Sequence, residues 1–255
     1  MRFKPNKAPA GGSLPEAPHA WTRGLGKVFA HGVWNSRVLG AHNVPATGPV
    51  LFAANHASIV DGPLLYGVTP RPAHFLVKKE MFEGTLPHRV VGWSLLQAGQ
   101  IPIDRSRGDR DALASVLSVL AAGGAAGVFP EGTRGRGDAA SVRSGIAWIA
   151  LQSGAPVVPV ACLGAHLPGE GARKLPPLRR RLTFCFGEPF TVVKEPGVPG
   201  RVALAAAVEQ VRVKLSGHVL DSLRRTGMQL PHDETAADEL GLGEMASDDV
   251  PGGTR

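Results

Sequence analysis

His56 and Asp61 stand five positions apart in the run Asn55, His56, Ala57, Ser58, Ile59, Val60, Asp61, Gly62, Pro63, directly after the apolar stretch Val50–Ala54. A carboxylate on one imidazole nitrogen leaves the other free to accept a proton, as a general base for an alcohol must. That spacing on a single helix would turn the two side chains apart. The pair therefore needs a strand end, a loop and the start of the next helix, with Asp61 as its N-cap and Pro63 in its first turn. On spacing alone the commoner outcome is a solvated histidine beside a capping aspartate. Ser58 lacks the G-x-S-x-G elbow of a nucleophile, and no further ligands cluster to make a metal site of His56 and Asp61.

A second cluster, Phe129, Pro130, Glu131, Gly132, Thr133, Arg134, Gly135, Arg136, Gly137, also follows an apolar run. Its glycines let the chain approach a ligand closely, and Thr133, Arg134 and the exposed amides offer donors to an anion such as phosphate. The lysine and glycine spacing of a Walker loop is missing, and an ordinary charged turn is the competing reading. Between the clusters stand Lys78, Lys79 and Glu80, then Gly99 to Arg105, where an apolar run ends in Asp104 and Arg105. Arg105 either reaches the same anion as Arg134 or forms a surface pair with Asp104. Further on, Ala155, Pro156, Val157, Val158, Pro159, Val160 reads as a buried strand whose prolines mark an edge or an entrance.

Short apolar runs alternate with helical stretches from Gly40 onward. Strands are expected at Val50–Ala54, His74–Val77, Gln100–Ile103, Ala126–Phe129, Val157–Cys162 and Arg181–Phe186, and helices at Pro63–Val68, Asp109–Ala122, Ser141–Ser153 and Arg201–Arg225. This alternation predicts an α/β fold, a mixed and largely parallel central sheet flanked by helices. Upstream, Trp21–Leu39 reads as helical, with Trp21, Leu25, Phe29 and Val33 on one stripe beside Arg23, Lys27 and Arg37. Such a stripe either contacts a membrane or packs on the protein's own core, and Gly24, Gly26 and Gly32 weaken its helix. The organisation expected is a flexible arm over 1–20, an amphipathic, membrane-contacting helical segment over 21–45, a main domain over 46–227, and an acidic tail over 228–255 too poor in apolar residues to order.

With 255 residues, 43% apolar and 19% charged, the chain can bury a large core and is neither a disordered tail nor a membrane bundle. Two cysteines, Cys162 and Cys185, exclude a disulfide scaffold and a cysteine-built metal site, and fit a reducing compartment. The net charge of +7 is divided unevenly: seven acids and Arg255 put Met228–Arg255 at −6, so the remainder carries +13. A body this basic attracts phosphate on nucleic acid, on an anionic leaflet or on a small substrate. Ala112–Pro130 and Ser144–Gly169 carry no charge and are long enough to span a bilayer, yet Gly123, Gly124, Gly154, Pro156 and Pro159 divide them into helix, turn and strand. Met1–Gly24 has no continuous apolar stretch of the secretory kind, so export is not expected.

Taken together and in order, N-H-x-S-x-x-D at 55–61, K-x-E at 78–80, G-x-I-x-I-D-R at 99–105, F-P-E-G-T-R at 129–134 and V-V-P-V at 157–160 resemble the glycerolipid acyltransferases, particularly bacterial 1-acylglycerol-3-phosphate acyltransferases. The likeness spans about Val50 to Val160, with a weaker continuation through Glu188 and Pro189. It implies that His56 takes the proton of a glycerol hydroxyl while that oxygen attacks an acyl thioester, with Asp61 orienting and charging the ring. It implies that Arg105, Glu131, Gly132, Thr133 and Arg134 hold the acceptor's phosphate, and that Val157, Val158, Pro159 and Val160 support the acyl or acceptor pocket. The donor would be acyl-CoA or acyl carrier protein and the acceptor a lysophosphatidate-like lipid. No metal or redox cofactor would be needed, no nucleic acid is expected as partner, and the protein would sit peripherally on the cytoplasmic face of an anionic membrane.

Met81–Val91 is longer than usual for that family, and the basic loop Gly169–Arg181 is suited to headgroups or donor phosphates unless it is simply solvated. Two other functions remain open on the residues. One is a hydrolase using the same pair to activate water on a thioester or lipid, the other a non-catalytic binder of anionic lipid or nucleic acid.

Overall fold

Alternation along Val50–Ala54 sets the layout, because Val50, Phe52 and Ala54 point to one face, Leu51 and Ala53 to the other, and all are buried. A strand buried on both faces must lie inside a sheet covered on both sides. The computed structural model describes residues 14–83, 86–104, 109–132, 136–170 and 174–231. Its strands are β1 (Asn35–Leu39), β2 (Val50–Ala54), β3 (Ala73–Lys78), β4 (Ile101–Ile103), β5 (Ala125–Val128), β6 (Val157–Leu163) and β7 (Arg181–Phe186). They form one sheet in the order β1-β7-β6-β2-β5-β3-β4, in which every neighbouring pair is parallel except β6 with β7. The expected mixed, largely parallel sheet is therefore present.

The helices are α1 (Ala20–Val28), α2 (Asp61–Val68), α3 (Leu86–Gln97), α4 (Arg110–Ala121), α5 (Ser144–Ser153) and α6 (Gly200–Thr226). Helices α4, α5 and α6 bury Val116, Leu120, Ile146, Ile149, Val211 and Leu215 on the face that carries Leu51 and Val157. Helix α2 and the turn after α1 cover the opposite face, where Leu64 and Leu65 meet Phe52, Val158 and Phe184. The long α6 stays on the sheet because Ala203, Ala207, Val211, Leu215 and Val219 recur every four residues as a buried stripe. At α4 the side chain of Asp109 accepts the Ala112 N–H at 3.0 Å, satisfying one of the orphan donors of the first turn. Among the described residues no helix is long and apolar enough to cross a membrane.

Three local expectations are corrected. The helical stretch from Trp21 stops at Val33, after a π-helical turn over Phe29–Val33, and Asn35–Leu39 is the edge strand β1, paired residue for residue with β7. Strand β6 is interior, flanked by β2 and β7. Pro159 is tolerated there because it falls between the isolated Val157–Phe190 bridge and the β6–β7 ladder that begins at Val160, where no donor is required of it. Asp61 is the first residue of α2, not its cap; Val60 holds the cap position and no side chain bonds there.

Along α1 and the π-helical turn that continues it, the small residues Thr22, Gly26 and Ala30 face inward, while Trp21, Leu25, Val28 and Phe29 face outward. The inward face is small because α1 crosses α2 in backbone contact: a Cβ on Gly26 would stand 2.8 Å from the Gly67 Cα. Thr22 Oγ1 and the Tyr66 hydroxyl, 2.6 Å apart, tie the two helices together.

Candidate active site

Strands β2 and β5 are parallel neighbours, and the chain leaves both at the same end of the sheet. In open α/β sheets that carboxyl end is where ligands are bound. Asn55, the first residue past β2, is fully buried and acts as a three-way tie. Its side-chain amide donates to the Gly137 carbonyl at 2.7 Å, and its side-chain oxygen accepts the Cys162 N–H of β6 at 2.7 Å. The next residue, His56, donates its main-chain N–H to Glu131 Oε1 at 3.0 Å. The two sequence clusters are thus joined directly.

His56 Nδ1 lies 3.2 Å from Asp61 Oδ2, with the imidazole 15% exposed and the carboxylate 1% exposed. The same Oδ2 accepts the main-chain N–H groups of Ala57 at 2.8 Å and Ser58 at 2.7 Å. Asp61 therefore folds back over its own loop instead of capping α2, and two amides plus the ring N–H compensate a carboxylate removed from water. An ionised carboxylate only accepts, so the ring proton is on Nδ1 and Nε2 is left with its lone pair. Nε2 has no hydrogen-bond partner among the described residues.

Under the imidazole lies Phe129, whose ring centroid is 4.5 Å from that of His56; Phe75 stacks on Phe129 at 6.0 Å. Gly127 of β5 makes room for this column, since any Cβ there would run into the Phe75 ring. Glu131 is largely withdrawn from water, and that burial raises its carboxyl to about 7 against the pull of the His56 amide, with Asp138 and Asp61 raising it further. By accepting the His56 N–H, Glu131 fixes the backbone of the loop that carries the imidazole.

The structure brings His56, Asp61, Glu131 and Gly132 together. Gly132 turns the chain at φ +74° with Arg143 laid across it. Arg105, Thr133 and Arg134 lie outside the described residues. Val157, Val158, Pro159 and Val160 are buried in the sheet interior, and their link to the site is the Val160 carbonyl, which accepts the Asn55 N–H at 3.3 Å. Phe129 and Asn55 stood inside the sequence clusters without a role. Arg143 and His166, which bonds the Ala57 carbonyl at 3.1 Å, had no local signal at all, because only the fold brings them here. Among the described residues no group of three or more His, Cys, Asp or Glu side chains is placed to hold a metal ion.

Comparison with known proteins matches residues 35–163 to the Acyltransferase family. A chloroplastic 1-acyl-sn-glycerol-3-phosphate acyltransferase of Brassica napus is 29% identical over 135 residues, 51% of this chain and 38% of that protein. The enzyme of the same name from Borreliella burgdorferi is 33% identical over 128 residues, 48% of this chain and 49% of its own. The chain thus spans less than half the length of these relatives. The crystal structure of the 1-acyl-sn-glycerophosphate acyltransferase of Thermotoga maritima shares the fold, with a TM-score of 0.56 at 24% identity over 79% of this chain and 78% of that one. With His56, Asp61 and Glu131 all inside the matched segment, the chain belongs to the acyltransferase family.

Proposed function

We propose that the protein transfers a fatty acyl group from a thioester, acyl-CoA or acyl carrier protein, to the free hydroxyl of 1-acylglycerol 3-phosphate or a similar lysophospholipid. The observation that carries this reading is His56, with Nδ1 tied to the buried Asp61 and Nε2 unpartnered. The names of the relatives supply the substrate class. The acceptor hydroxyl gives its proton to Nε2 as its oxygen bonds to the thioester carbonyl carbon. The tetrahedral intermediate then expels the thiolate, which takes the proton back from Nε2. Asp61 stabilises the imidazolium formed between these steps. The acceptor's phosphate is held by Arg143, which lies across the Glu131–Gly132 turn without a side-chain partner among the described residues, together with Arg134 and Arg105 of the sequence motifs.

Attachment to a membrane surface is part of the same reading. Trp21 on α1 stacks against Trp93 on α3 with centroids 5.7 Å apart, and the two rings remain 46% and 54% exposed. The same stretches also expose Leu25, Val28, Phe29, Val90, Val91 and Leu96. These two helices contain Arg23, Lys27 and Arg89 and no carboxylate. Exposed tryptophans on helices that carry cations and no carboxylate suit the headgroup layer of an anionic bilayer, here assigned to its cytoplasmic face.

Labelled acyl donor supplied with and without lysophosphatidate tests the reaction. A transferase forms phosphatidate only with acceptor present, and His56→Ala abolishes that product while leaving the circular dichroism unchanged. Free fatty acid released at the same rate in both arms indicates a hydrolase, and phosphatidate formed by H56A removes His56 as the base.

A further inference from the structure

Beyond β6 the chain turns back over the loop that carries His56 and places His166 against it, 6% exposed. The two ring nitrogens of His166 each face a carbonyl oxygen: Nδ1 that of Ala57 at 3.1 Å, Nε2 that of Glu170 at 2.5 Å. Each oxygen can accept a proton borne by the ring nitrogen that faces it. The outer end of this contact is fixed. The Glu170 carboxylate takes both terminal nitrogens of Arg180, at 2.6 and 2.7 Å, and the Leu167 N–H at 3.0 Å. Arg180 in turn accepts the Asn35 N–H through its carbonyl at the start of the β1–β7 pairing.

The inner end has a specific geometry. The carbonyl of Ala57 and the N–H of Ser58 belong to one planar trans peptide and point in opposite directions. His166 holds the oxygen of that peptide, and Asp61 Oδ2 takes its N–H at 2.7 Å. A single peptide group therefore separates a buried imidazole from the carboxylate that holds the ring of His56. A donor on the carbonyl oxygen polarises the peptide and strengthens the N–H as a donor on its other side.

We propose that His166 is a positioning residue for this site, acting on Asp61 through the 57–58 peptide and so on the alignment of His56, a role that deepens the acyl-transfer reading above. It touches neither substrate nor the reacting atoms. Loss of its contact lets the peptide rotate, loosens Asp61 and misaligns the base, while the Glu131–Gly132 turn is untouched.

The test compares wild type, His166→Ala and His166→Asn, the last placing an amide nitrogen near the position of Nδ1. H166A is expected to lower kcat about ten- to a hundredfold, the scale of a small misplacement of a catalytic group, with KM for lysophosphatidate and for acyl-CoA unchanged. H166N should recover most of that loss. Amide hydrogen exchange read by NMR should quicken at Ser58 in H166A and not at the β2 and β5 amides. If H166A does not fold, Arg180→Gln, which releases Glu170 from outside, should lower kcat in the same sense with KM unchanged. Unchanged kcat in a folded H166A, or a rise in KM without a fall in kcat, overturns the proposal. Should wild type transfer no acyl group, the reading of the reaction fails, and faster Ser58 exchange in H166A would still carry the positioning role.

Discussion

Replacing Asp61 by Asn alters the site with almost no change of shape, so its cost measures what the charge contributes. In wild type one oxygen accepts three hydrogen bonds, at 2.7, 2.8 and 3.2 Å, two from amides and one from the ring of His56. At about 4 Å between charge centres and an effective dielectric constant of about 20, an imidazolium and a carboxylate attract by about 4 kcal/mol. A neutral amide oxygen keeps a hydrogen bond to the ring worth about 1 kcal/mol, which leaves about 3 kcal/mol lost when the imidazolium forms. At 1.36 kcal/mol per decade this is about a hundredfold in kcat. The assay is steady-state transfer of a labelled acyl group at saturating lysophosphatidate, with KM measured alongside and folding followed by circular dichroism. KM should stay near wild type if, as proposed, other residues hold the acceptor's phosphate. A D61N enzyme within about threefold of wild-type kcat would refute the argument, since the charge of Asp61 would then do nothing for the proton transfer.

Glu131→Gln keeps an acceptor for the His56 N–H but removes a carboxyl whose folded value is raised from 4.5 to about 7. Between those values the folded state retains a proton that the unfolded state has lost, so wild-type stability falls as pH rises through that window and levels off above it. Relative to wild type, E131Q should thus gain about 1–2 kcal/mol between about pH 4 and pH 8, allowing for partial solvent screening; a calorimetric difference that does not change with pH contradicts this. Gly67→Ala drives a methyl into the Gly26 carbonyl and should cost about 1–3 kcal/mol by forcing α1 and α2 apart, whereas a variant with wild-type Tm would mean that the crossing is looser than the structure shows. Trp93→Glu should weaken sedimentation with vesicles containing anionic lipid more than with neutral ones, without lowering Tm; equal sedimentation of variant and wild type would remove α3 from the membrane-facing surface.

The sheet strands and covering helices with an apolar buried face could be read from the sequence, α1 was read from a stripe that faces outward, and α3 and β1 were missed. Strand β7 was visible residue for residue as Arg181–Phe186, and β2 as Val50–Ala54, because each is an apolar run bounded by turn residues. Helix α3 was hidden because Val90, Val91, Trp93 and Leu96 point outward, so no stripe at helical spacing marks a core face. Strand β1 was absorbed into the preceding helix because the four-residue spacing runs to Val33 and no Gly or Pro breaks the chain between there and Gly40; only pairing with β7, distant in sequence, makes Asn35–Leu39 a strand. At the site the partnership of His56 and Asp61 was legible, while the orientation of Asp61 was not. A helix-first aspartate usually caps, and here two amides of its own loop outbid the helix. Glu131 was grouped with phosphate contacts by its company in F-P-E-G-T-R, and its bond to the His56 backbone emerges only when β2 and β5 lie side by side.

Strand β1 precedes the other described strands in the chain, yet Asn35 finds its register only against the distant Arg181. Such non-local closure is slow, and it leaves the amino-terminal helix and the unzipped edge waiting on the ribosome while the inner strands assemble. Pulse-labelled exchange during refolding should accordingly protect the amides of β2, β5 and β6 ahead of those of β1; simultaneous protection would mean that this edge closes with the rest.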